Sequence, residues 1–269
     1  MFNRYRTTAV VLAACTCSVQ AESTAEVKLL APPSVAAGST VEVALELTPA
    51  ESLHVYYINP GEMGQAVALD WQDLPEGITT GELRFPVPHR VKTGELPTNG
   101  YEETTLFFSQ LNIAPSVEPG SYTFKAKASW LACNDNQCLV GGDEVELKLE
   151  VVAKGGTASE PSTQLAEGLT LIPTDASTDW KSSVKKEGEK WLINLTPPDN
   201  WESPEELDAF SETSDFFQPG SVPSIQRTDS GLQISVEASE YSKDLSAAKI
   251  VLAGPTPPVR IPISLETQK

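Results

Sequence analysis

Histidine and methionine are scarce in this sequence, at two each, and there are only four cysteines. The two histidines, His54 and His89, stand far apart, and no cysteine joins them at a metal-ligand spacing. Zinc asks for four ligands, so no metal site is expected, and no other cofactor motif is present. A hydrolase finds no support either, because no nucleophile motif accompanies the histidines. Basic residues are few: 19 Lys and Arg against 37 Asp and Glu give a formal charge of −18. A charge of that sign argues against nucleic acid or an anionic lipid surface as partner. Long apolar runs are missing as well, none approaching the roughly 18 residues of a membrane-spanning helix.

What is present begins with a targeting pattern. Arg4 and Arg6 precede a short apolar stretch over 9–14, and Ser18-Val19-Gln20-Ala21 offers the small residues a signal peptidase reads. Residues 1–21 therefore read as a signal peptide, and the protein as periplasmic or otherwise exported. Leu12-Ala13-Ala14-Cys15 also has the form of a bacterial lipoprotein signal, which would leave a lipid anchor on Cys15. Either way Cys15 and Cys17 belong to the leader region, and the exported part keeps one close pair, Cys133 and Cys138.

Beyond the leader the dominant pattern has period two. Val41, Val43, Leu45 and Leu47 alternate with polar or small residues, as do Tyr122, Phe124, Ala126, Ala128 and Trp130, and then Val145, Leu147, Leu149 and Val151. Each is the signature of a strand with one buried face. Further strands are expected over 53–58, 81–85 and 105–113, separated by Pro, Gly and Asn turn signals. An all-β immunoglobulin-like antiparallel β-sandwich over 24–153 accounts for this arrangement. A small, polar, proline-containing stretch over 154–166 reads as a linker. A second, smaller β-rich domain is expected over 167–269, with strands at 190–196, 231–237, 249–253 and 259–265 and a short helix over 204–210.

The cysteines sit where two of these strands turn back. Strands over 121–132 and 143–152 flank residues 133–142, and Asn134-Asp135-Asn136-Gln137 has the side chains of a tight turn. Facing residues of antiparallel strands lie within disulfide reach, so a bond between Cys133 and Cys138 is easy to form. So short a loop gains only about 2 kcal/mol from closure, little for a staple. The spacing alone leaves two readings open, a bland turn lock in a binding or scaffold protein and a reaction centre.

Four further stretches bear on that choice. Leu53-His54-Val55-Tyr56-Tyr57-Ile58-Asn59-Pro60-Gly61-Glu62-Met63-Gly64 comes first, followed by Phe85-Pro86-Val87-Pro88-His89-Arg90. Asn99-Gly100-Tyr101-Glu102 and Ser129-Trp130-Leu131-Ala132-Cys133 then follow in order. Together they resemble the N-terminal periplasmic domain of DsbD-type thiol:disulfide interchange proteins, especially the ScsB-like branch, over about residues 26–152. Asp215-Phe216-Phe217-Gln218-Pro219 is a weaker echo of the same branch.

The resemblance implies a redox pair, Cys133 and Cys138, that passes electrons to exported thioredoxin-like or disulfide-bearing proteins. By family analogy Cys138 attacks and Cys133 resolves. The resemblance also implies a cap loop, Asn99, Gly100, Tyr101 and Glu102, with Tyr101 as an aromatic shield. Trp130, His54 and His89 read as structural or surface residues. Acidic Asp135, Glu102 and Asp143 would hold a thiol pKa up rather than down. Two departures stand out: four residues separate the cysteines, and Leu139 stands where a proline often follows. The membrane conduit and thioredoxin-like domain usual in the family do not appear in this sequence, so electrons are expected from a separate membrane donor.

Overall fold

The computed structural model describes residues 23–241 and 247–263; the leader reading, with Cys15 and Cys17, falls outside them. The first strands are β1 (Ala25–Leu30), β2 (Ser34–Ala36), β3 (Thr40–Pro49), β4 (Val55–Gly61), β5 (Ala68–Gln72) and β6 (Ile78–Thr80). They continue with β7 (His89–Thr93), β8 (Leu96–Tyr101), β9 (Thr105–Ile113), β10 (Gly120–Cys133) and β11 (Cys138–Val152). A short helix, α1 (Thr163–Leu169), leads to β12 (Thr174–Asp175), β13 (Lys181–Glu187), β14 (Lys190–Thr196) and β15 (Asp208–Ser211). The last strands are β16 (Ser224–Thr228), β17 (Gly231–Glu237), β18 (Lys249–Ala253) and β19 (Val259–Pro262).

The period-two residues build an antiparallel sandwich. Val41, Val43, Leu45 and Leu47 of β3 point inward from the sheet β1-β3-β9-β6. Phe124, Ala126, Ala128 and Trp130 of β10 meet them from the sheet β2-β11-β10-β5, together with alternate residues of β11. The later strands repeat the plan with sheets β12-β19-β18-β15 and β13-β14-β17-β16, which close on Ile193, Leu195, Ile234, Ile250, Leu252 and Ile261. The protein is thus all-β, an immunoglobulin-like sandwich followed by a further β-rich part.

A three-stranded sheet, β4-β8-β7, has no counterpart among the described residues of the later part. Alternation and register give it two distinct faces. Val55, Tyr57, Asn99, Arg90 and Tyr101 share one face, and Tyr56, Gly100, Val91 and Thr93 share the other.

Three expectations are corrected. The stretch 81–85 forms no strand: it makes an isolated bridge, Arg84 to Phe108, and a single Gly81 amide bond to the Gln110 carbonyl, and Pro86 and Pro88 just beyond supply no ladder donors. The helix expected over 204–210 is absent: Asp208–Ser211 is a strand, because Ala209 and Phe210 are buried in pairing with Leu252 and Val251. Part of the stretch expected as linker is the start of α1. Ser162 caps it by accepting from the Leu165 amide at 3.3 Å, and Leu165 packs on Ala44, Phe108 and Ile172.

Candidate functional site

β10 and β11 form the longest ladder of the structure, and its last pair is Cys133 with Cys138. Asn134 makes the turn possible: its side-chain oxygen accepts from the Asn136 and Gln137 amides at 2.9 and 3.1 Å. Its own amide donates to the Gln137 carbonyl at 3.0 Å. The two sulfurs are bonded, at 2.05 Å. Their surroundings differ sharply, because Cys133 is 0% exposed whereas Cys138 is exposed. Beside Cys138, Leu139 and Val140 carry apolar side chains into solvent, Val140 with 84% of its surface free.

Cys133 is buried although it points away from the sandwich core. Along β10 the core-facing side chains are Phe124, Ala126, Ala128, Trp130 and Ala132, so alternation turns Cys133 outward. Trp130 is a core residue, its indole N–H donating to Thr24 Oγ1 at 2.9 Å.

The three-stranded sheet meets β10 beside Cys133. His54, just before β4, exchanges both backbone hydrogen bonds with Cys133, at 2.9 and 3.0 Å. A pair bonded in that way puts the two side chains on the same face. The His54 ring is buried, with Nε2 at 2.9 Å from Thr93 Oγ1 and 3.3 Å from Tyr56 OH; those hydroxyls lie 2.7 Å apart. Burial lowers the His54 pKa, partly offset by the nearby carboxylates of Glu102 and Asp135, so the neutral imidazole is favoured. Thr93 ends β7, and the next residue, Gly94, approaches the Asp135 carbonyl of the cysteine turn. The tip of the β7–β8 hairpin therefore rests on the turn that carries the disulfide.

The residues expected as a cap are placed at the root of this hairpin. Tyr101 lies on the opposite face of the sheet from Thr93 and Tyr56. Its ring packs against Tyr57 and Phe107, and its hydroxyl donates to the Pro86 carbonyl at 2.8 Å. Asn99 shares that face and donates to the Asn59 carbonyl at 3.1 Å. Gly100 sits on the Cys133 side, where a Cβ would collide with the Val55 carbonyl. Glu102 acts on His54 through its charge. Sequence reasoning missed the His54, Tyr56 and Thr93 cluster; the available signal was His54 and Tyr56 at period two within one strand-like stretch. Among the described residues no cluster of three or more His, Cys, Asp or Glu could hold a metal ion.

The family described as thiol:disulfide interchange protein DsbD, N-terminal, matches residues 25–150. Residues 25–150 are a DsbD-type N-terminal domain. By family this DsbD-type domain is a thiol–disulfide exchange module, and its one cysteine pair is joined. The chain is similar in fold to the N-terminal periplasmic domain of ScsB from Proteus mirabilis. That likeness has a TM-score of 0.58 at 14% identity over 88% of this chain and 90% of that one. Endo-fucoidan hydrolase MfFcnA9 from glycoside hydrolase family 107 reaches a TM-score of only 0.21, at 15% identity over 86% of this chain and 32% of that one. The CsuC-CsuE pre-assembly complex of Acinetobacter baumannii reaches 0.20, at 10% identity over 87% and 96%. Neither score bears on function. No curated protein matches the chain. No described helix is long and apolar enough to cross a membrane.

Proposed function

We propose that the DsbD-type domain exchanges electrons with exported thioredoxin-like or disulfide-bearing proteins through Cys133 and Cys138, with Cys138 as the sulfur that partners reach. The observation that carries this reading is the asymmetry of the pair: one sulfur buried under a hairpin, the other exposed beside Leu139 and Val140.

In the reducing step a partner thiolate attacks Cys138 Sγ, a mixed disulfide forms, and the Cys133–Cys138 bond breaks with its electron pair leaving on Cys133. The second partner thiol then attacks the partner's own sulfur in the mixed disulfide and releases Cys138 as a thiolate. The partner dithiol has become a disulfide, and the protein holds two thiols. Delivery to a second exported protein runs the same sequence backwards, with Cys138 attacking and Cys133 resolving.

Burial penalises the thiolate that develops on Cys133, so this step calls for water at a sulfur that is fully covered at rest. The cover is the β7–β8 hairpin, held by Thr93 and His54 and rooted at Asn99, Gly100, Tyr101 and Glu102. Lifting its tip exposes Cys133, and a docked partner would favour the lifted form.

The test is trapping. A Cys133→Ser variant, mixed with a thioredoxin-like protein, is expected to accumulate a mixed disulfide through Cys138. Absence of any adduct, or an equal yield from Cys138→Ser, would overturn the assignment in favour of a turn lock.

A further inference from the structure

The later β-rich part contains no cysteine or histidine, yet it is joined to the sheet that meets β10 beside the disulfide. Arg90 of β7 forks onto the Asp208 carboxylate, donates to the Ala209 carbonyl at 3.2 Å and lies 4.4 Å over the Phe210 ring. Asn59 of β4 donates through its side chain to the carbonyls of Ser211 and Thr213, at 3.0 and 3.2 Å. Gly220, at φ +79°, packs so closely on the Pro97 ring of β8 that no Cβ would fit between them. Phe210 also joins the apolar core of the DsbD-type domain. Each strand of the three-stranded sheet is thus held from the later part.

The contacts of Arg90 and Pro97 stand on the face of the sheet opposite to the one that closes on Cys133. Arg90 and Thr93 lie on one strand, about 10 Å apart, with side chains on opposite faces. A grip at Arg90 and Asn59 fixes the root of the hairpin, and the His54–Thr93 contact fixes its tip. The hairpin has to break the second set of bonds to uncover Cys133, and the first set limits how far it then swings.

We infer that Arg90, Asn59 and Asp208 are positioning residues: the later β-rich part braces the β7–β8 hairpin and so slows the opening of the Cys133–Cys138 disulfide. The inference deepens the proposed exchange role and depends on it for its biological meaning. The brace is not the sheet's sole support, because Val55, Tyr57 and Tyr101 remain packed in the sandwich core. Variants at Arg90 or Asp208 are accordingly expected to fold.

The test measures how fast dithiothreitol reduces the Cys133–Cys138 bond in the full chain, across low urea concentrations. Arg90→Ala and Asp208→Ala are each expected to speed reduction about tenfold, the factor that loss of one charged hydrogen bond allows. Asn59→Ala should act in the same direction. Arg90→Lys keeps the charge but loses the fork and the ring contact, and should return only part of the wild-type rate. The dependence on urea should stay shallow, since hairpin opening exposes far less surface than global unfolding.

Rates within twofold of wild type in all three alanine variants would overturn the brace. So would an acceleration whose urea dependence equals that of global unfolding, because the substitutions would then act on overall stability alone. Dithiothreitol needs no protein docking, so this result stands apart from the exchange role. Failure of a thioredoxin-like protein to react with the wild-type pair would sink the exchange role and leave the brace as measured.

Discussion

The two β-rich parts share a plan, a pair of four-stranded sheets closed on an apolar core, and differ in what is added to it. Every cysteine and both histidines of the chain lie before residue 139, and among the described residues only the DsbD-type domain has the extra sheet β4-β8-β7. The later part supplies carbonyls, a carboxylate and a phenyl ring, all directed at that sheet. A sandwich by itself is chemically inert; the proposed exchange sits where a small sheet meets the end of one long hairpin, and the second sandwich is proposed to support that sheet.

The largest effect should separate the two parts outright. Cys138→Ser is expected to abolish exchange with a thioredoxin-like partner, whereas no single substitution after residue 167 should do so. Exchange assays across both sets check this, and one inactive but folded variant in the later part would break the division.

Ile193→Ala removes a fully buried side chain from the later core and should cost about 2 to 5 kcal/mol in urea denaturation. Exchange is expected to persist, with faster reduction of the disulfide. A smaller effect is expected within the site. Thr93→Val leaves His54 and Tyr56 short of a buried partner and should cost about 1 to 3 kcal/mol. Alkylation of Cys133 in the reduced protein should quicken as well. Unchanged stability and an unchanged alkylation rate would show that the hairpin tip is not latched there.

The smallest effect is acid sensitivity. Burial holds the His54 pKa below its ordinary value of 6.5, so the stability of the neutral network is present above that value. It is lost as pH falls through the lowered pKa of the folded state. Reduction of the disulfide by a phosphine should therefore speed up as pH falls below 6.5, and His54→Gln should flatten that rise. An equal rise in both proteins would remove His54 as its source.

Alternation made the sandwich legible: the strands containing Val43, Phe107, Phe124, Leu147 and Ile193 are all visible as period-two runs. The cysteine ladder was legible for the same reason, since two such runs flank a turn of Asn and Asp. The hairpin that covers the site was not. Its strands and turn contain Arg90, Lys92, Gly94 and Pro97, a composition with little apolar alternation, and its order comes from neighbours on both faces rather than from its own residues. Motif resemblance pointed to residues 99–102, close in sequence to the tip at Gly94 but on the hairpin's root. The hold of Asp208 on Arg90 joins residues far apart in the chain, and no local pattern in the sequence encodes such a contact.

The central claim is that Cys133 and Cys138 form an exchange site rather than a lock, and the reduction potential of the pair tests it most directly. Equilibrated against a redox buffer and against a thioredoxin-like protein, the bond is expected to have a potential above about −300 mV and to be reduced by that protein. A potential below about −300 mV, with no transfer from the thioredoxin-like protein, would contradict it and leave a stabilised turn.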